Sequence, residues 1–202
     1  MTMGLKANAD GSGAIQVGGS DAISITSGLN TTFAGTVTSA STVAGATGTL
    51  YPLVARTAQT APPTVPQYFE FTGIPSWVDR ITVMFSGVSH NGSTAFNDQF
   101  LIQLGAGSIT SSGYASFAVN TSATTGFLIT NSVSGASTFS GVLTIALVGG
   151  NTWSQSGNIS GNTSCQYSAG TVTLGGVLDR IRITTVGGTN SFDAGSVNIL
   201  YE

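Results

Sequence analysis

The chain offers few groups able to do covalent chemistry. Its only histidine is His90, in the run Ser89-His90-Asn91-Gly92-Ser93, and its only cysteine is Cys165. A nucleophilic triad needs a hydroxyl, an imidazole and a carboxylate in mutual hydrogen-bond reach, and no spacing in the sequence brings those partners to His90. The turn-forming pair Asn91-Gly92 instead reads His90 as a surface loop residue. Metal ligation by nitrogen and sulfur needs clustered donors; a lone His and a lone Cys far apart in the chain are not a cluster. Cys165, among the polar residues of Asn-Thr-Ser-Cys-Gln-Tyr-Ser, reads as a small, partly buried strand-end residue rather than a nucleophile. The carboxylates Asp10, Asp21, Glu70, Asp79, Asp98, Asp179, Asp193 and Glu202 are scattered. Glycoside hydrolysis needs two of them flanking one bond; Asp98 and Asp193 stand near strand or loop ends, but nothing pairs them. No Gly-x-Gly-x-x-Gly follows a strand and no Walker-type lysine is present, so no cofactor is expected. These residues read as those of a non-enzymatic protein with no catalytic or metal site.

Binding is the other chemistry on offer. Trp77, Tyr114, Trp153 and Tyr167 lie beside loops rich in Asn, Ser and Gly. A rigid ring that stacks, next to small polar groups that adapt their hydrogen bonds, is a combination that holds ligands such as a sugar of a cell-surface glycan. The competing reading places the same four rings in a core or at a contact between subunits.

Composition limits what can position these residues. Of 202 residues 28 are glycine, 41% are hydrophobic and only 6% are charged. An ordinary domain carries roughly a quarter charged residues, so this surface is built from Ser, Thr, Asn and Gly. Helix formers such as Lys, Glu and Arg are nearly missing, which disfavours long helices. Five basic residues (Lys6, Arg56, Arg80, Arg180 and Arg182) and a net charge of −3 leave no electrostatic footprint for nucleic acid. No apolar run approaches the roughly 20 residues of a membrane span, and the opening MTMGLKANADG lacks the apolar core of a signal peptide. Neither membrane insertion nor secretion is expected. One cysteine makes no intramolecular disulfide, so stability must come from packing or assembly.

The punctuation divides the chain at residues 44 and 66. Residues 45–66 contain Pro52, Pro62, Pro63 and Pro66; proline fixes φ and removes a ladder donor, so this stretch reads as an extended linker. Residues 1–44 hold short alternating runs around Ile15-Gln16-Val17, Ile23-Ser24-Ile25 and Phe33 to Val37, broken by Gly-Gly and Ser-Gly turns. So short a segment buries too little to fold alone. Winding identical copies together would let Ile15, Val17, Ile23, Ile25, Phe33 and Val37 face a shared axis; a flexible Gly/Ser-rich tail is the alternative. Residues 67–202 show about ten short strands without helical pattern. Ile81, Val83 and Phe85 share one face, as do Ile181 and Ile183, and Val197, Ile199 and Tyr201. The run Gly141–Val148 is nearly all apolar, suiting a strand buried on both faces or one lying at a subunit contact. Trp77-Val78-Asp79-Arg80-Ile81-Thr82-Val83 is echoed by Val177-Leu178-Asp179-Arg180-Ile181-Arg182-Ile183, an expected sign of two matching sheets entered through solvated charges. The expected fold is all-β, an antiparallel, jelly-roll-like sandwich preceded by a short intertwined β stem.

Two sets of motifs carry a resemblance. The stretch DGSGAIQVGGSDAISITSGLNTTFAGTVTSAS resembles the stem segments of bacteriophage fibre and appendage proteins. FTGIPSWVDRITVMFSGVSHNG, FLIQLGAG, GYASF, GVLTIALVGGNTWSQSG and GGVLDRIRITTVGGTNSFDAGSVNILYE resemble a domain found at the C-terminal ends of such proteins. The resemblance implies a homotrimeric virion structural protein, a fibre or capsid-decorating subunit. Its N-terminal segment would engage other virion proteins of the capsid or tail, and its outward β-sandwich is a candidate for touching a host-surface glycan. A lectin-like carbohydrate-binding module is the alternative. The chain is short for a whole tail fibre and lacks the long β-helix of enzymatic tailspikes.

Overall fold

The computed structural model describes residues 3–7, 13–17, 20–25, 38–40, 47–49, 54–60, 67–93, 98–131, 135, 137–162 and 164–202. The chain divides into two compact units, 1–50 and 51–202.

In the first unit, β1 (Met3–Ala7), β2 (Gly13–Val17) and β3 (Ser20–Ile25) form an antiparallel meander, and β4 (Thr38–Ala40) pairs with β5 (Thr47–Thr49). Leu5 stands opposite Ile15 and Ile15 opposite Ile23; Met3 pairs with Val17, and Gly13 with Ile25. The expected runs around Ile15–Val17 and Ile23–Ile25 are therefore strands paired within one chain, and β1 adds a strand that the opening residues did not announce. Phe33 and Val37 lie outside the described residues.

The second unit holds β6 (Val54–Ala55), β7 (Gln59–Thr60), β8 (Phe69–Thr72), β9 (Arg80–His90), β10 (Phe100–Ala106), β11 (Ser108–Ile109) and β12 (Ala115–Ala118). It continues with β13 (Thr121–Ala123), β14 (Phe127–Leu128), β15 (Phe139–Gly149), β16 (Thr152–Ser160), β17 (Cys165–Thr173), β18 (Arg180–Thr185) and β19 (Phe192–Tyr201). The smaller sheet runs β11-β10-β18-β8, with β14 also on β10; the larger runs β13-β12-β17-β16-β15-β9-β19-β6, with β7 also on β19. No α-helix occurs among the described residues.

The pairings are nested. β9 pairs with β19, β10 with β18, β12 with β17 and β15 with β16, all antiparallel. That is a long hairpin rolled on itself, as in a jelly roll. It departs from the regular form at the innermost pair, which stays in the sheet of β9 instead of joining β10 and β18. Local turns explain this. Gly150 and Asn151 close β15 onto β16, and a Gly161 N–H to Ser164 carbonyl bond of 2.8 Å closes β16 onto β17. Neither connection is long enough to cross between sheets.

Alternation decides which side chains meet. Ile81, Val83 and Phe85 are buried on β9, Ile181 and Ile183 on β18, and Val197, Ile199 and Tyr201 on β19. Each fully buried side chain of this size contributes about 1.5–3 kcal/mol. Phe100 is the hub of a ring cluster, edge-on to both Phe139 and Phe192 at 5.4 Å, with Phe69 against Phe192 at 4.8 Å. The echoed Asp-Arg motif opens β9 in the larger sheet and β18 in the smaller one. Arg80 bonds Glu202 at 2.8 Å, and Arg180 holds both oxygens of Asp179 at 2.8 and 3.0 Å. That guanidinium keeps the Asp179 carboxyl below the usual range.

Part of the stretch read as linker is an edge of the sandwich. β6 and β7 pair with β19. The Gln59 amide donates to the Glu70 carbonyl at 2.5 Å while its oxygen accepts from Glu70 N–H at 3.2 Å, and Arg56 reaches the Thr72 carbonyl at 3.2 Å. Side chains thus occupy the exposed backbone edge of β8, which would otherwise invite pairing with another chain. Proline-rich flanks suit such an edge position and not a sheet interior.

Candidate functional site

The four aromatic rings do not form one binding surface. Trp153 is 3% exposed and packs in the core with Val172 and Leu147 among its cluster. Tyr114 is equally buried; its hydroxyl accepts the Leu104 N–H at 2.7 Å and its ring stands edge-on to Phe127 at 5.0 Å. Burial pushes its pKa up to about 12, against a smaller opposing effect of the Leu104 backbone bond. Trp77 is half-buried, tilted against Tyr201 at 5.8 Å. Trp153 and Tyr114 are corrected from ligand-facing to core positions, and Trp77 packs partly exposed against the margin of the core. Alternation is the reason: Trp153 and Gln155 point to the same inner face, so a ring beside a polar loop still turns inward. Tyr167 alone is open to solvent, at 56% exposure, and its hydroxyl donates to the Val119 carbonyl at 3.1 Å.

Tyr167 belongs to a wider feature, the outer face of the larger sheet. Among the described residues six large hydrophobic side chains are exposed, and four stand there: Phe117 on β12, Tyr167 on β17, and Val142 and Val148 on β15. The register lines them up. Tyr167 stands opposite Asn158, which stands opposite Val142, which stands opposite Met84. One row along, Phe117 meets Ala169, Ser156, Thr144 and Thr82 in turn. The apolar strand Gly141–Val148 is thus buried on one face only, through Leu143 and Ile145, and its other face looks outward. Between the Arg80–Glu202 pair at one end and Asp193 at the other, the strands of this face carry no charged residue. Beside Tyr167, Val119 is held at φ 54°, a left-handed conformation that a β-branched residue rarely adopts. Its N–H and carbonyl are both bonded to Tyr167, the former to the backbone carbonyl at 3.1 Å. Strain kept in place by such contacts is characteristic of sites with a task. Sequence reasoning singled out the run Gly141–Val148, with burial on both faces or a subunit contact as the readings, but did not resolve Val142 and Val148 as its outward residues, and it missed Phe117.

A second cluster corrects the reading of His90. The imidazole lies at the end of β9, fully buried and edge-on to Phe100 at 5.3 Å. Burial lowers its pKa below the usual 6.5, while the nearby Asp98 and Asp193 carboxylates pull it the other way. The two carboxylates that looked scattered therefore converge on one histidine. They do not assemble a triad. Ser89 Oγ donates to Asp193 at 2.5 Å, not to His90, and Nδ1 of His90 accepts the Gly92 N–H at 2.9 Å. With Nδ1 so engaged, the neutral ring carries its proton on Nε2, which leaves no lone pair to take a proton from a hydroxyl. Asn190 donates to Asp98, and the Asn91 side chain accepts Ser191 N–H at 3.0 Å. The cluster ties the β9 turn to the start of β19. A Cβ on Gly92 would come within 2.5 to 2.8 Å of the Asn190, Asp98 and His90 side chains, so a larger residue there would have to displace this cluster.

A cavity of about 540 Å³ lies between the 54–60 edge and β8, lined by Arg56, Gln59, Glu70 and their neighbours. The Glu70 carboxylate is bonded to Arg182 at 2.7 Å. Among the described residues no three His, Cys, Asp or Glu side chains come together to hold a metal. No family model, curated protein or solved structure matches this chain.

Proposed function

We propose that this chain is a non-enzymatic structural subunit of a bacteriophage particle, a fibre or capsid-decorating protein that works as a homotrimer. The observation that carries the reading is the broad, uncharged outer face of the larger sheet, an assembly surface rather than a reaction site. The resemblance of both chain ends to fibre and appendage proteins supplies the virion and the copy number. In this reading the N-terminal unit contacts capsid or tail proteins, and the sandwich is the outward part. Labelling the chain on particles by electron microscopy tests it: signal on virions is expected, and absence of the chain from purified particles refutes it. The His90 hydrogen bonds support the non-enzymatic part. Polysaccharide turnover by the purified protein, abolished by Asp98→Asn or Asp193→Asn, would overturn that part.

The alternative, a carbohydrate-binding module, is favoured by one residue only, since Tyr167 is the one predicted ring exposed beside Asn158 and the Val119–Asn120 turn. Glycan-array binding lost in Tyr167→Ala would favour it.

A further inference from the structure

We propose that the outer face of the larger sheet, centred on Val142, Tyr167 and Phe117, is where a second copy of this chain packs, face against face. The inference rests on the homo-oligomer part of the reading above and not on its virion part; a face that packs on its own copy is a two-fold contact, so it links copies belonging to two trimers rather than closing the three-fold ring. Size is the first argument. β17, β16, β15, β9 and β19 are neighbouring strands of nine to eleven residues. At about 4.8 Å between strands and about 3.3 Å per residue, they present on the order of 700 Å². A stable interface takes about 800 Å² from each partner, which β12 and β13 at the same face bring within reach.

Charge is the second argument, and it selects the partner. A different macromolecule is usually steered and registered by complementary charge, and the strands here offer none between Arg80 and Asp193. Nucleic acid and anionic surfaces have nothing to hold. An identical uncharged face meets no like-charge repulsion.

Texture is the third. Phe117, Tyr167, Val142 and Val148 stand out while Ala169, Ser156, Ser154 and Ala146 lie between them in the ladder. Small and large residues side by side are what lets two sheets pack at about 10 Å. A second copy of the face offers the same alternation of large and small side chains, so the large groups of one can seat over the small ones of the other. Tyr68 and Val177 are exposed too but stand off these strands, which makes Val177 a control.

The test uses the full chain with Cys165→Ser, so that one introduced thiol reports. Val142→Cys is compared with Val177→Cys for maleimide reaction rate and for oxidative cross-linking, beside native mass spectrometry. Protection of Val142→Cys by about tenfold or more, as when a tenth or less of the copies are dissociated, with disulfide-linked copies from Val142→Cys alone, is expected. Tyr167→Cys supplies a second position if Val142→Cys does not fold. An oligomer whose Val142→Cys and Tyr167→Cys thiols react as fast as Val177→Cys overturns this face while leaving the trimer reading standing. A monomer overturns both. A protected face in a chain absent from virions sustains the inference and refutes only the virion reading.

Discussion

Replacing Tyr114 by Phe removes one oxygen and keeps the ring in its place against Phe127. What changes is the Leu104 N–H, which loses its 2.7 Å acceptor inside the sandwich. The Leu104 carbonyl keeps its bond from Thr110 N–H at 2.9 Å, so the damage is confined to one buried donor. A buried donor left without a partner costs about 1–3 kcal/mol. For a unit of this size each kcal/mol lowers Tm by about 2–4 °C, so a fall of between about 2 and 12 °C is expected. Tyr68→Phe is the control. Its ring lies under the Arg182 guanidinium at 4.2 Å and is 43% exposed, so losing its hydroxyl strands no buried group. A change within about 0.5 kcal/mol is expected there. The assay is thermal unfolding at fixed protomer concentration, because assembly makes apparent stability depend on concentration. Both tryptophans of the chain, Trp77 and Trp153, lie in the 51–202 unit, so their fluorescence reports that unit directly. Equal midpoints for the two variants would refute the placement of Tyr114 as a core hydrogen-bonding residue.

Two further outcomes follow from single groups. Gly195→Ala should destabilise by at least about 2 kcal/mol, because φ is +81° and a Cβ would meet the Gly87 and Val88 backbone at 2.4 to 2.5 Å; Gly149→Ala, with open space around it, should be near neutral, and similar urea midpoints for the two would show this wrong. For His90, the unfolded chain takes its proton near the ordinary pKa of about 6.5 while the buried ring resists it to lower pH, so its contribution is complete above that pKa and declines as pH falls below it. Urea midpoints between about pH 7.5 and 5 should drop toward acid, and a His90→Phe variant with an equally steep pH slope would count against the buried neutral imidazole.

The strands whose inward residues are apolar were legible. β9, β15, β18 and β19 follow from Ile-x-Val-x-Phe, Leu-x-Ile, Ile-x-Ile and Val-x-Ile-x-Tyr alternation. β17 carries no apolar alternation before Val172, because its inward positions up to there are Gln166, Ser168 and Gly170. Those polar groups are buried and partnered: Gln166 accepts Asn131 N–H at 2.9 Å, and Gln155 donates to Ser168 at 2.9 Å. Ser116 on β12 likewise accepts Leu128 N–H at 2.8 Å. One end of the sandwich therefore has a hydrogen-bonded interior that hydrophobic alternation cannot detect. His90 was hidden for a different reason. The strand ends at His90 and the chain bends at Asn91, but the packing of Phe100 and the 190–193 segment over the strand end is a long-range event with no local signature.

The outer face raises the same difficulty in reverse. Alternation divides Gly141–Val148 into two faces and says nothing about what covers the second one. Inside the chain the answer is solvent, and for Phe117, Tyr167, Val142 and Val148 on one uncharged surface that is an unusual answer. A chain with 6% charged residues lacks the self-repulsion that keeps ordinary domains apart. The edge of β8 is occupied by Gln59 and Arg56, which blocks strand addition there, while the flat outer face of the larger sheet has no such guard. In the like-on-like packing proposed above, the guarded β8 edge stays out of the contact and sheet is laid on sheet. That is the arrangement in which the second apolar face of β15, unexplained within a single chain, acquires a physical reason.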